Sequence, residues 1–188
     1  MGIHVIETQL QGVLIIEPEV FRDARGFFME SYNRRVFQAH GIPYEFVQDN
    51  HSRSAHGVLR GLHYQDMRAP QTKLVRCTVG RVWDVAVDLR VGSPTFGQWV
   101  GVELSAENAR QLLVPVGFGH GFAVLSEVAE VQYKCDGYYE PAAEGVIRWN
   151  DPDLGITWPL AQPILSPRDQ NGMSLKEYLK APKFFFRH

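Results

Sequence analysis

Residues 72–90 read TKLVRCTVGRVWDVAVDLR, and the fold turns on how this stretch is read. Apolar and polar residues alternate on both sides of Gly80, the period of a half-buried β-strand. Two such arms around a glycine predict a hairpin. The stretch QWVGVELSAENARQLLVP (98–115) reads as a second hairpin and HGFAVLSEVAEVQYKC (120–135) as a third. Upstream, GVLIIEPEVF (12–21) and GFFMESY (26–32) are β-branched or aromatic runs separated by the turn-prone RDARG. Only short helices are expected. One is RRVFQAHG (34–41), ended by Gly41, and another is SLKEYL (174–179), where Ser174 and Glu177 have capping-box spacing. Closely spaced strands without intervening helices predict an all-β antiparallel sandwich or barrel. With no repeat, linker or low-complexity segment in view, residues 1–188 are read as a single domain.

Bulk composition narrows the function classes. The chain has 188 residues, 45% hydrophobic and 21% charged, with a net charge of −2, so no general basic field is available for nucleic acid. An anionic ligand must be held by a few placed arginines and lysines. Cys77 and Cys135 have neither metal-ligand spacing nor a disulfide framework. MGIHVIETQLQG lacks the basic-then-apolar layout of a signal peptide, and no run approaches the ~20 apolar residues that span a bilayer. A reducing cytoplasm and no membrane partner are the expectation.

The chemistry is concentrated in GVLRGLHYQ (57–65) and VPVGFGHGF (114–122). Strand geometry points His63 and Gln65 to one side. Pro115, Gly117 and His120 have a spacing that resembles the second motif of the cupin superfamily, a jelly-roll β-barrel. Gly57 and His63, with five residues between them, resemble the start of its first motif. Where a metal-binding cupin has His-x-His and then a carboxylate, this chain has Gln65 and then Lys73. Gln65 is a poor ligand and Lys73 a cation, whereas a catalytic zinc or iron site wants about three His or carboxylate ligands. No metal or other cofactor is expected. Metal-free proton transfer suits the set better: a histidine base, a lysine facing a developing oxyanion, and a tyrosine acid, which together describe enolisation next to a ketone.

Beyond these motifs the chain resembles the dTDP-4-dehydrorhamnose 3,5-epimerase family, cupin-fold enzymes of dTDP-L-rhamnose synthesis. The resemblance runs through FRDARGFFMES, FVQDNHSRSAHGVLRGLHYQ, VWDVAVDLRVGSPTFG, VPVGFGHGFAVLS, WNDPDLGITWP and LSPRDQ, in that order. It implies a cupin-type jelly-roll barrel acting on dTDP-4-dehydro-6-deoxyglucose. It further implies His63 as base, Asp169 as its partner, Lys73 at the enolate oxygen and Tyr133 as acid on the opposite face. Substrate binding is implied for Arg25, Glu30, Gln48, Asp49, Asn50, Arg60, His120, Glu144 and Arg168, the last at a position where the family more often has lysine. Tyr139, in preference to Tyr138, is the implied stacking partner of the thymine ring. The family also implies a homodimer in which an early strand reaches the partner's pocket, so that Arg25 and Glu30 act in trans. Trp83, Trp99, Trp149 and Trp158 read as core or interface, and the FFF of 184–186 as an apolar tail packed on a subunit. Three other activities use related features: a mono-epimerase at carbon 3 or carbon 5, a cupin ketoisomerase, and a non-catalytic sugar-nucleotide binder. The His63, Asp169 and Tyr133 set speaks against the last two.

Overall fold

The computed structural model describes residues 1–187. The chain begins with β1 (Ile3–Glu7), β2 (Leu14–Pro18), β3 (Val20–Asp23), β4 (Gly26–Met29) and α1 (Arg34–Ala39). Next come β5 (Gln48–Ala55), β6 (Leu59–Gln65), β7 (Lys73–Val79), β8 (Arg81–Asp88) and β9 (Arg90–Val91). The barrel continues through β10 (Trp99–Ser105), β11 (Gln111–Val114), β12 (Phe118–Val124), β13 (Val128–Cys135) and β14 (Glu144–Val146). It is closed off by α2 (Pro167–Gln170), α3 (Leu175–Tyr178) and β15 (Phe184–Phe185).

Two antiparallel sheets face each other: β1-β2-β11-β7-β13-β5 and β10-β8-β12-β6-β14. All three expected hairpins are corrected by this arrangement. The strands exist, but β7 and β8, β10 and β11, and β12 and β13 lie in opposite sheets. Gly80 alone joins β7 to β8, too short a link for the usual two-residue hairpin loop. Its φ is +73°, and a Cβ there would meet the Val128 carbonyl oxygen at 2.1 Å, so only glycine fits the corner. Alternation could not distinguish the two outcomes, because a strand that crosses to the facing sheet still sends alternate residues inward.

Each sheet-to-sheet pair therefore acts as one long bent ribbon. Four such ribbons lie side by side, β5–β6, β13–β12, β7–β8 and β11–β10, each hydrogen-bonded to the next in both sheets. Their bends close one end of the jelly roll, and the other end stays open. Between the sheets, Val75, Cys77, Val82, Leu104, Leu112, Val124 and Val131 form the apolar filling. Burial at this level, about 1.5–3 kcal/mol for each large aliphatic side chain, is the main term holding the sheets together.

The outer faces are covered as well. Outward Leu62, Tyr64, Val85 and Val87 pack under Ile147, Leu175, Tyr178 and Phe184 from the C-terminal segment. Phe37 of α1 and Ile42 pack with Leu74 and Leu113 outside the other sheet. Asn33 caps α1 by accepting from the Arg35 and Val36 amides, and the expected Ser174–Glu177 capping box is formed on α3. The aromatic tail packs on its own chain: β15 pairs in parallel with β9, Phe184 is buried, and Phe185 is exposed. Trp83, Trp99 and Trp158 are partly buried beneath the same C-terminal cover, and Trp158 Nε1 donates to the Trp149 carbonyl.

Candidate active site

Toward the open end, the filling gives way to a cavity of about 350 Å³, within the range of small-molecule sites. One wall is Gln48, Asn50 and Ser52 of β5 with Tyr133 of β13 and Lys73 of β7. The facing wall is Arg60 and His63 of β6 with His120 and Phe122 of β12. Tyr139, Glu144 and Arg168 complete the lining.

A β-bulge allows β6 to contribute both of its residues. Residues three apart normally face opposite sides of a strand. Here Arg60 pairs with Phe122 and His63 with His120, so three steps on β6 match two on β12. The extra residue rotates both Arg60 and His63 inward. The bulge requires glycine on both strands: a Cβ on Gly61 would sit 2.6 Å from Gly121 Cα, and one on Gly121 would sit 2.7 Å from the Arg60 carbonyl oxygen.

His63 Nε2 lies 2.7 Å from Asp169 Oδ1. Asp169 is buried on α2, whose first turn is capped by Ser166 accepting from the Asp169 amide at 3.1 Å. Its second oxygen accepts the Gly61 amide, also at 3.1 Å, so the bulge and the His63 contact share one carboxylate. Burial pushes this carboxyl upward, but His63, Gly61 and Arg168 together hold it below the ordinary carboxylate value. An ionised carboxylate only accepts, so Nε2 carries the proton and Nδ1 is left as the basic nitrogen.

Across the cavity, Lys73 Nζ lies 5.6 Å from the Tyr133 ring centroid. Burial pulls the Lys73 ammonium below its ordinary value, and Cys135, Glu144 and Asp84 draw it partly back. Burial also pushes the Tyr133 phenol above its ordinary value, which keeps it an O–H donor. Cys135, the cross-strand neighbour of Lys73, is pushed up by burial to about 11 and stays a thiol. Glu144 accepts from the Tyr139 hydroxyl at 2.7 Å and from Arg168. Tyr139 is anchored through its amide, which donates to Gln48 Oε1 at 3.0 Å, whereas Tyr138 points to solvent.

Gln65 has a structural task. Its Oε1 accepts the Glu140 amide at 3.0 Å, fixing the turn that delivers Glu144 to the site. Among the described residues, no three His, Cys, Asp or Glu side chains are grouped to hold a metal ion.

Three expected binding residues lie outside this cavity. Asp49 is on the opposite face of β5 from Gln48 and Asn50, where strand alternation puts it, and ion-pairs with Lys134 at 2.9 Å. Arg25 is held by Asp23 at the exposed β3–β4 turn, and Glu30 follows that hairpin. Neither lines the chain's own cavity. Ser52, Phe122 and the buried Asp84 behind His120 were not picked out by sequence. Asp84 had left a signal, since a carboxylate at an inward position of VWDVAVDLR breaks an apolar run.

A histidine–carboxylate couple, a buried lysine and a tyrosine around an arginine-lined cavity fit an isomerase of the cupin-type jelly-roll class. Comparison with known proteins then places it. The chain belongs to the dTDP-4-dehydrorhamnose 3,5-epimerase family, whose model matches residues 7–177. It is 61% identical over 167 residues to the dTDP-4-dehydrorhamnose 3,5-epimerase of Pseudomonas aeruginosa, covering 88% of this chain and 92% of that one. A dTDP-4-dehydrorhamnose 3-epimerase of Streptomyces niveus is 44% identical over 169 residues, covering 89% and 82%. The fold is shared with a crystal structure of the 3,5-epimerase of Legionella pneumophila in complex with dTDP-4-keto-L-rhamnose. That match has a TM-score of 0.94 and 50% identity, covering 99% of this chain and 100% of that one.

Proposed function

We propose that the chain inverts carbons 3 and 5 of dTDP-4-dehydro-6-deoxy-D-glucose, giving dTDP-4-dehydro-L-rhamnose. The observation that carries this reading is the His63–Asp169 couple, 2.7 Å apart, opening onto the same cavity as Lys73 and Tyr133. His63 Nδ1 takes the proton from a carbon beside the ketone. The electron pair of the broken C–H bond moves to the carbon-4 oxygen, and Lys73 stabilises the resulting enolate. Tyr133 returns a proton to the opposite face. The imidazolium and phenolate reset by exchange with solvent, and the cycle repeats at the second carbon. General acid–base steps of this kind typically contribute about 10²–10⁴-fold each.

Arg60 and Arg168 provide forked donors for the diphosphate. Tyr139 offers a flat face to thymine. Gln48, Asn50, His120 and Glu144 complete the binding set. Arg25 and Glu30 are proposed to act across a homodimer, a reading supported by their absence from the lining of their own cavity and by exposed Phe27 and Phe28 on the same hairpin. Hybrids of Arg25→Ala and His63→Asn chains should then regain activity, because one of the two sites is whole; inactive hybrids would refute the trans arrangement. No described helix is long and apolar enough to cross a membrane, and a cytoplasmic location fits a nucleotide-sugar substrate.

Incubating the protein with the 4-keto sugar nucleotide in deuterated water, with EDTA present, tests the activity. Deuterium at both carbons 3 and 5 of the product is expected. Incorporation at one carbon alone would make the chain a mono-epimerase, and dependence on a chelatable metal would sink the enolisation mechanism as stated.

A further inference from the structure

The cavity contains a second histidine–carboxylate couple. His120 Nε2 lies 2.6 Å from Asp84 Oδ1. His120 and His63 are direct cross-strand neighbours on β12 and β6, and both line the cavity. Each is bound through the same ring nitrogen to a buried carboxylate, but the carboxylates come from different places, Asp169 from α2 and Asp84 from β8.

Asp84 is a poor choice for stability alone. It is 0% exposed, and its Oδ2 has no hydrogen-bond partner among the described residues. A buried carboxylate with an unsatisfied oxygen is destabilising, and an apolar residue of similar size would serve the core better. Val82 and Ala86, at the neighbouring inward positions of the same strand, are the kind of residue the core uses. What Asp84 does that they cannot is accept the His120 Nε2–H. With that proton fixed away from the substrate, Nδ1 is the nitrogen left to the cavity, and in the neutral ring it is an acceptor.

We propose that Asp84 is a positioning residue for the epimerisation. It fixes the orientation and tautomer of His120 so that Nδ1 accepts a hydrogen bond from a sugar hydroxyl beside the reacting carbons. The inference rests on the proposed substrate and adds a residue to its recognition. It makes His63 and His120 a matched pair, one removing protons and the other holding the ring that loses them. A misplacement of about 1 Å can cost on the order of 10²-fold in rate, so orientation by a buried carboxylate is a sufficient reason for its presence.

Asp84→Asn is the test. The amide keeps the size of the side chain but can equally offer its NH₂ to Nε2, which would place the ring proton on Nδ1. The expected result is a fall in kcat/KM for the 4-keto sugar nucleotide of roughly 10- to 100-fold. Affinity for dTDP, which lacks the sugar, should stay within about twofold, a split that a merely structural lesion would not produce. In a His120→Asn background the same substitution should have little further effect, because the two residues act as one unit. Histidine ¹⁵N spectra of the unsubstituted protein, recorded where the ring is neutral, should show His120 protonated at Nε2 and bare at Nδ1. This last measurement needs no variant to fold. Unchanged kcat/KM, parallel loss of dTDP binding, full additivity with His120→Asn, or a proton on Nδ1 would each overturn the inference. Failure of the unsubstituted protein to epimerise would sink the functional reading instead, so the two failures are distinguishable.

Discussion

The two ends of the jelly roll use the same strands for opposite purposes. At the closed end, inward positions hold Cys77, Val82, Leu104, Val124 and Val131. Toward the open end, the same inward series on β7, β12 and β13 carries Lys73, His120 and Tyr133. A shift of only two residues separates Val131 from Tyr133. The backbone pairing is continuous through both regions, so the difference lies in what the side chains need. Apolar residues need only each other, whereas a polar group left without a partner or a ligand costs stability. The closed end therefore holds the walls at a fixed separation, and the open end spends that rigidity on placing charges.

The sharpest break in this comparison is His63→Asn. It should lower deuterium exchange at both carbons by about 10³–10⁴-fold, measured by proton NMR of the sugar. Nucleotide affinity should change little, since binding lies with the arginines and Tyr139. Lys73→Met comes next: it keeps the buried stem but loses the enolate partner, and kcat should fall about 10²–10³-fold. At the closed end the readout reverses. Leu104→Ala should cost about 2–5 kcal/mol in denaturant unfolding while activity per folded molecule holds. A large loss of activity from that substitution at unchanged stability would show that the two ends are not separable. The smallest effect concerns Asp169. Its carboxyl is held below the ordinary value of about 3.9, so its contribution to stability is complete above that pH. It is lost as pH falls through the lower folded value. Asp169→Asn should flatten this part of the acid unfolding curve, and an unchanged acid limb would contradict the contacts assigned to this carboxylate.

The closed end was the easier end to read from sequence. Alternation through TKLVRCTV and VWDVAVDLR marked the strands, because each buries one face against the facing sheet. The connections were not legible, since a one-residue corner at Gly80 and a hairpin leave the same local pattern. At the open end, His63, Lys73, Tyr133 and Asp169 were found through an ordered family resemblance, and the structure brings them to one place. The bulge that turns Arg60 and His63 to the same side was hidden, because it depends on two glycines meeting across strands sixty residues apart in sequence. Asp49 lies outside the cavity for a simpler reason: the side chains of three consecutive residues cannot all face one side of a strand.

The division of labour across the open end is tested most directly by Tyr133→Phe, with exchange and configuration read from the same NMR spectra. The substitution removes the hydroxyl and keeps the ring against Lys73. Because His63 still removes protons and Lys73 still holds the enolate, deuterium should continue to enter the recovered sugar while little doubly inverted product forms. Normal yields of the doubly inverted sugar would contradict the account and assign the returning proton to another group.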